Sequence, residues 1–323
     1  MNYGLPYKGS KNRIAKKILE VLPAAPMLYD VFCGGCAITH AAMLSGKYSR
    51  VVANDINGMI PHAFETALKG GFRNEDRWIS RDNFQKLYKT DPYVAICFSF
   101  GNNLRWYCYA RELEPYKRAL HYAIFWKDIA PWRELCPETA DALKAAVESE
   151  TDRHKRRIGA GRAIVTALKA GLMNGAIDPA VMNKPIYKKI RGMQSLETLE
   201  NDERLPRLES LERFERLKNL ETLQTDESTV TTGDYRALNF ERGGIIYCDP
   251  PYKNTRQYST VGAFDFDAFY SWCEAQTLPV YISEYTMPED RFVPVAAVTV
   301  TRKLNAAKSS ICHEKIWRPR TQL

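Results

Sequence analysis

An aspartate, two prolines and a tyrosine stand together at Asp249-Pro250-Pro251-Tyr252, directly behind the apolar run Ile245-Ile246-Tyr247-Cys248. A short apolar run bounded by glycine and proline reads as a buried strand, here Gly244 to Cys248. Successive prolines offer no backbone N–H and hold φ near one value, so the strand must stop at Asp249. A carboxylate, a rigid carbonyl and an aromatic ring are thereby gathered at the carboxyl end of a strand. In open α/β sheets that is where ligands bind. A strand-ending turn with a packed tyrosine would explain Pro-Pro alone, but the full tetrapeptide behind a hydrophobic strand is more specific.

Asp249-Pro250-Pro251-Tyr252 resembles the catalytic motif of methyltransferases that use S-adenosylmethionine on adenine N6 or cytosine N4. The chemistry this implies accounts for each residue type. An exocyclic amine on a nucleobase is a poor nucleophile, because its lone pair is delocalised into the ring. Two acceptors aimed at its N–H groups, the Asp249 carboxylate and the Pro250 carbonyl, favour a pyramidal nitrogen. They also stabilise positive charge as it develops there. Pro251 belongs to the rigid turn that fixes this geometry, and Tyr252 would stack on a base taken out of the duplex. No general base of shifted pKa is required, since the proton leaves after transfer.

Several elements must position these groups. Tyr7 and Lys11 fall at the start of a helix spaced over Asn12 to Leu22 and ended by Pro23; a basic surface turn is the plainer account of them. Met27 to Phe32 reads as a strand running into Asp30-Val31-Phe32-Cys33-Gly34-Gly35-Cys36, followed by a helix of small residues, Ile38 to Leu44. Glycines at such a turn let backbone approach a ligand and point helix N–H groups at it. Ser49 to Asn54 is a second strand, closed by Asp55. An acidic residue about twenty positions past the glycine turn is placed for ribose hydroxyls. Cys33 and Cys36 raise a rival, a redox pair or half a metal site. No second Cys-x-x-Cys completes a zinc site, and a redox role would leave Asp55 and Asp249 as coincidences.

Taken in order, Tyr7-x-x-x-Lys11, Asp30-x-Phe32-x-Gly34-Gly35, Asn54-Asp55-Ile56-Asn57 and Asp249-Pro250-Pro251-Tyr252 look like the Dam-like, D12 class DNA adenine-N6 methyltransferases. Thr232-Gly233-Asp234-Tyr235 and the strand Val280 to Glu284 continue the likeness. The donor turn precedes the catalytic motif with a long insertion between, as in the family's alpha group. The resemblance implies a Rossmann-like class I methyltransferase fold, a doubly wound α/β sheet with an inserted, mainly helical target-recognition region. It implies that Tyr7, Lys11, Asp30, Phe32, Gly34, Asp55, Asp234, Tyr235 and Asp249 line the S-adenosylmethionine pocket, with no metal. The departure is Cys36, where the family's turn usually ends in a further glycine. The expected domains are 1–58 with 228–323 for catalysis, 59–191 for target recognition and 192–227 as a leucine- and glutamate-rich spacer.

Within the insertion, Phe98 to Tyr107 resembles a family loop near the flipped base. Its Asn102, Asn103 and Arg105 suit base-edge contacts, against the alternative of an aromatic core segment. Helical patterns follow over Tyr116–Trp126 and Thr139–Val147. The net charge of +8 is concentrated between Asp152 and Arg191, which hold ten Lys/Arg and two acidic residues, while the remainder has 36 of each sign. Arg156, Arg157, Lys188 and Lys189 are the expected phosphate contacts, with a solvated helix face as the alternative. From Tyr187 to Leu199, and again after Asp202 from Leu205 to Leu223, apolar residues recur every third position, which wraps a helix instead of marking one face. In the last third, Val230 to Thr232 is a strand candidate, Val293–Arg302 and Ser310–Trp317 a terminal antiparallel pair, and Ser259 to Phe266 a cover over the site.

No run of eighteen apolar residues spans a membrane, and Met1-Asn2-Tyr3-Gly4 does not start a signal peptide, so a cytoplasmic protein is expected. Eight scattered cysteines fit reduced thiols. The partner implied is double-stranded DNA; the chain is expected to be a monomer, and the family allows a restriction endonuclease acting on the same site. Three other readings stay open. A cytosine-N4 enzyme more often carries serine in place of Asp249, and an RNA or protein-amide methyltransferase more often carries asparagine. The third is an inactive nucleic-acid-binding relative.

Overall fold

The computed structural model describes residues 3–191, 213, 228–252, 264–305 and 308–323. The chain divides into two compact units, Met1–Gly71 with Arg216–Leu323, and Phe72–Glu215. The first unit carries a seven-stranded sheet of β1 (Met27–Asp30), β2 (Arg50–Asp55), β3 (Ser228–Thr232), β4 (Ile245–Cys248), β5 (Val280–Glu284), β6 (Phe292–Asn305) and β7 (Lys308–Pro319). Its order is β3-β2-β1-β4-β5-β7-β6. Strands β1 to β5 pair in parallel, and β7 runs antiparallel to both β5 and β6. Strand order reverses between β1 and β4, which opens a crevice at their carboxyl ends. This is the doubly wound class I methyltransferase arrangement that the resemblance implied.

The alternation of side chains along each strand divides the core in two. Leu28, Ile245, Tyr247 and Tyr281 face α1 (Ala15–Val21) and α2 (Ala37–Ser45), while Tyr29, Ile246, Cys248, Val280 and Ile282 face α11 (Phe266–Glu274). Cys248 points toward α11, so Asp249 follows on the α1 side. Lys11 enters the site from there, in a turn whose carbonyl accepts the Ile14 N–H at 2.9 Å just before α1. The helix α3 (Met59–Leu68) buries Ile60, Ala63, Phe64 and Ala67 and packs on β2 and β3. The sequence pattern places 59 onward in the insert, but this apolar face ties α3 to the sheet, and the unit ends at Gly71.

The second unit is helical: α4 (Arg81–Leu87), α5 (Pro92–Phe98), α6 (Glu114–Trp126), α7 (Ala130–Leu135), α8 (Pro137–Glu148), α9 (Arg153–Met173) and α10 (Pro185–Arg191). Side-chain caps begin three of these helices, Ser80 for α4, Asp91 for α5 and Asp152 for α9. At the core, buried Trp132 Nε1 donates to Thr139 Oγ1 at 3.1 Å, and Thr139 Oγ1 lies 3.0 Å from the Tyr187 hydroxyl. The spacer 192–227, with most of the period-three series, lies outside the described residues except for Arg213. Its guanidinium donates to the carbonyls of Ile96, Cys97 and Ser99 at the end of α5, as a basic group at a helix C-terminus should. The cover expected over Ser259 to Phe266 also falls largely outside, since residues 253–263 are not described.

Candidate active site

Asp249, Lys11, Tyr252 and Glu314 form one cluster at the β1/β4 crevice. Lys11 Nζ lies 2.6 Å from Asp249 Oδ1, 2.5 Å from the Tyr252 hydroxyl and 3.3 Å from Glu314 Oε1. The Tyr252 hydroxyl donates to Glu314 Oε1 at 3.0 Å, and the Ser283 hydroxyl donates to the same oxygen. Glu314 arrives by the antiparallel register. Glu284 at the end of β5 is opposite Lys315, so Glu314 stands one step beyond, over the carboxyl ends of the parallel strands. Tyr252 packs against Tyr285 with ring centroids 5.0 Å apart, and Lys11 lies 4.7 Å from the centre of the Tyr252 ring. Pro250 is buried and Pro251 exposed.

Electrostatics make this a strained neighbourhood. Burial pushes the Asp249 carboxyl up to about 6; Lys11 opposes the shift and Glu314 adds to it. Burial works against the Lys11 ammonium, but Asp249 and Glu314 outweigh it and its pKa is raised. Glu284 is pushed up to about 7, again by burial first, and its Oε2 has no partner. One buried ammonium thus faces several carboxylates. The surplus negative charge is what a cationic ligand would relieve.

The glycine turn between β1 and α2 lies beside this cluster. Gly34 takes φ +47° and Cys36 φ +56°, and the Gly34 N–H donates to Asp55 Oδ2 at 2.9 Å. Asp55 Oδ1 accepts the Asn57 N–H at 2.9 Å, so each carboxylate oxygen keeps acceptor capacity for a ligand. Burial raises the Asp55 carboxyl against these two N–H groups. Tyr7 lies across the turn, and a Cβ at Gly35 would come within 2.6 Å of the Tyr7 Cβ. The final glycine of the family pattern is therefore replaced by a cysteine in left-handed backbone, its sulfur 3.7 Å from that of Cys33. Among the described residues no group of three or more His, Cys, Asp or Glu gathers to hold a metal.

Three residues expected in the donor pocket have partners within the protein: the carboxylates of Asp30 and Asp234 are held by its own groups, and Phe32 stands in an aromatic cluster. Asp30 is 1% exposed and fastens α2 to β1, its Oδ2 accepting from Thr39 N at 3.1 Å and Thr39 Oγ1 at 2.7 Å. Burial pushes its carboxyl up to about 7. Asp234 accepts the Arg236 N–H at 2.9 Å and pairs with its guanidinium at 2.5 Å. Phe32 packs on Tyr235 at 5.0 Å and on Phe269 at 5.6 Å. Phe32 and Tyr235 therefore form one aromatic wall with α11.

The N-terminal segment that supplies Tyr7, Lys11, the glycine turn and Asp55 is also where comparison with known proteins gives its answer. Residues 7–96 match the sequence model of the D12 class N6 adenine-specific DNA methyltransferases. No curated protein matches the chain. The match to the D12 class ends before Asp249, so Asp249-Pro250-Pro251-Tyr252 and Glu314 lie beyond it and stand on their own geometry. Spacing along the chain does not single out Glu314. A signal is present all the same, because β7 alternates inward at Glu314 and Ile316, and an inward carboxylate in a terminal strand needs a partner.

In the second unit, the expected base-reading segment is a tight hairpin closed by a bridge between Ser99 and Tyr107. Asn103 Oδ1 accepts from the N–H groups of Arg105 (2.9 Å) and Trp106 (3.0 Å), so that amide braces the turn. Asn102 takes φ +57°, and its Oδ1 is buried without a partner. Arg105 is exposed. Two large aromatic residues of the segment, Phe100 and Trp106, are 63% and 68% exposed.

The basic segment needs correction at two positions. Arg156 and Arg157 are 7% and 3% exposed, and Arg156 donates to the carbonyls of Glu150 at 3.1 Å, Thr151 at 2.7 Å and Ile124. Five consecutive helical residues, Arg153 to Arg157, sweep more than a full turn, so some must face the core. Arg156 is therefore a structural tie, and Arg156→Ala is expected to lower stability by about 2–3 kcal/mol, as loss of charged hydrogen bonds does. Urea denaturation checks this, and an unchanged midpoint would return Arg156 to the DNA-contact reading. Lys188 is exposed, and the side chain of Lys189 lies outside the described residues.

Proposed function

We propose that this chain is a site-specific DNA methyltransferase that transfers the methyl group of S-adenosylmethionine to adenine N6 of a base flipped out of duplex DNA. The observation that carries the reading is Asp249-Pro250-Pro251-Tyr252 at the β1/β4 crevice, beside the glycine turn held by Asp55. The donor is a sulfonium cation, and the surplus carboxylate charge around Lys11 fits it. When bound, it supplies a methyl carbon whose bond to sulfur breaks as the N6 lone pair attacks, the bonding electrons staying on sulfur.

Asp55 would hold the ribose hydroxyls, and the Phe32–Tyr235 wall would pack beside the adenosyl group. Asp249 and the Pro250 carbonyl accept the two N6–H groups and stabilise charge as nitrogen becomes positive. Tyr252 offers the face on which the flipped base stacks. In the second unit, Phe100 and Trp106 offer further stacking surface, which is worth about 1–3 kcal/mol per base in comparable sites. Lys155, Arg162 and Lys169 recur every seven residues along α9, on the face opposite Ile164 and Leu168. This stripe replaces buried Arg156 and Arg157 as the phosphate-facing surface.

Two measurements test the reading. Tritiated methyl transfer to DNA, RNA and protein, followed by nucleoside analysis, should yield N6-methyladenine in DNA; N4-methylcytosine, or label confined to RNA or protein, would reject it. Replacing Lys155 and Arg162 by glutamine should weaken binding to every duplex alike. It should also lower the slope of log affinity against log salt by about 0.9 for each phosphate no longer neutralised. Choice among sequences should survive, because phosphate contacts position the protein while base contacts specify. An unchanged slope would make α9 a solvated face.

A further inference from the structure

The lysine that neutralises Asp249 also draws its charge away from any other partner. Lys11 Nζ lies 2.6 Å from Asp249 Oδ1 and so competes with the target amine for the carboxylate that the proposed reaction needs as an acceptor. While that ion pair is intact, the Asp249 charge is directed at Lys11 and not at the nitrogen that must become positive. A buried ammonium cannot simply withdraw, because an unpaired charge in a dry site is costly. It needs a second anion within a short movement. Glu314 is that anion, 3.3 Å from the same Nζ and fixed from two further sides by the hydroxyls of Tyr252 and Ser283.

We propose that Glu314 is a positioning residue that takes over Lys11 when the target base enters, freeing Asp249 to accept the amine. The inference rests on the methyltransferase reading and adds to it a residue outside the matched segment. The hand-over is an exchange of ion-pair partner; no covalent bond forms or breaks. Tyr252 links the two states, since its hydroxyl accepts from Lys11 and donates to Glu314. A base stacking on Tyr252 therefore touches the residue that bridges both partners of the lysine.

Glu314→Gln separates the charge of this residue from its hydrogen bonds. The amide oxygen can still accept from Ser283 and Tyr252, so a purely structural role would leave turnover unchanged. The hand-over instead predicts that kcat falls tenfold or more, while affinities for S-adenosylhomocysteine and for the duplex stay within twofold. Ser283→Ala, which keeps the charge but removes one of the hydroxyls on Glu314, should lose less turnover than Glu314→Gln. If Glu314→Gln does not fold, Glu314→Asp draws the charge one methylene back from Lys11 and should show the same split. A ternary structure of the wild type with S-adenosylhomocysteine and a methylatable duplex gives the direct view: Lys11 Nζ should pair with Glu314 and leave Asp249 to the base. Wild-type turnover in Glu314→Gln, or Lys11 still on Asp249 in that complex, overturns the proposal and leaves the methyltransferase reading standing. A wild-type protein that methylates no DNA overturns both.

Discussion

Asp249→Ala is expected to abolish methyl transfer while leaving the protein folded and its DNA binding largely intact. The substitution removes the charged acceptor from the reacting nitrogen. Loss of a single preorganised group of this kind costs about a hundred- to a thousandfold in turnover elsewhere, and here the acceptor also carries the charge complementary to the transition state. The fold should tolerate the change, because Asp249 lies beyond the end of β4 with its side chain 19% exposed. Lys11 keeps Glu314 as a partner. Removing one carboxylate also relieves part of the surplus negative charge. Tritium transfer at saturating donor, together with a thermal melt, checks both halves of the expectation; a variant that keeps a tenth or more of wild-type turnover would remove Asp249 from the chemistry.

The same group sets the acid limb of activity. Only ionised Asp249 presents a full negative charge to a nitrogen that becomes positive, and burial has moved its carboxyl up to about 6. On this basis kcat/KM should fall as pH drops through about 6, well above the range of an ordinary aspartate. A profile flat down to pH 5 would contradict it.

Asp55→Ala should weaken S-adenosylhomocysteine binding by about ten- to a hundredfold, the equivalent of a charged hydrogen bond or two. Two losses act together. The carboxylate no longer meets the ribose, and the Gly34 N–H that it holds at 2.9 Å is released, so the turn loosens. Asp55→Asn separates them, since its amide oxygen can still accept from one backbone N–H while the charge is gone. Isothermal titration should rank wild type above Asn above Ala, with duplex affinity unchanged throughout. Equal affinities in all three would place Asp55 outside the pocket.

Local chemistry made part of this legible in the sequence. Proline forces β4 to end at Asp249, and Gly34 sits at the strand-to-helix junction in left-handed backbone, with Gly35 beside it where Tyr7 leaves no room for a Cβ. What could not be read locally depended on which way a face turns or on register. The basic run at Arg153 to Arg157 reads as uniformly exposed until α9 is seen to bury Arg156 against the carbonyls of Ile124, Glu150 and Thr151. Asp30 resembles a ligand residue in its motif, yet the strand alternation that makes β1 a core strand also turns its carboxylate onto Thr39. The alternation of β7 marks Glu314 as inward, but its place over the site follows from the antiparallel register of β7 on β5, which no spacing along the chain encodes. Asn103 belongs to the same class, because an amide beside a tight turn can serve the turn or a ligand, and here it serves the turn.

The pairing of β1 with β4 has a consequence for synthesis. Leu28 lies beside Ile245 in the central pair of strands, so the first-made strand waits for a neighbour translated more than two hundred residues later. The helical unit, Phe72–Glu215, is continuous in sequence and can fold as it leaves the ribosome. During that interval β1 and β2 have an open edge and one uncovered apolar face, the state most exposed to mispairing. Asp249 and Glu314 arrive later still, so a nascent or truncated chain contains its helical unit long before it has a complete reaction centre. Ribosome-bound chains stalled before Gly244 should therefore resist protease across 72–191 and remain cleavable near Met27 to Asp55.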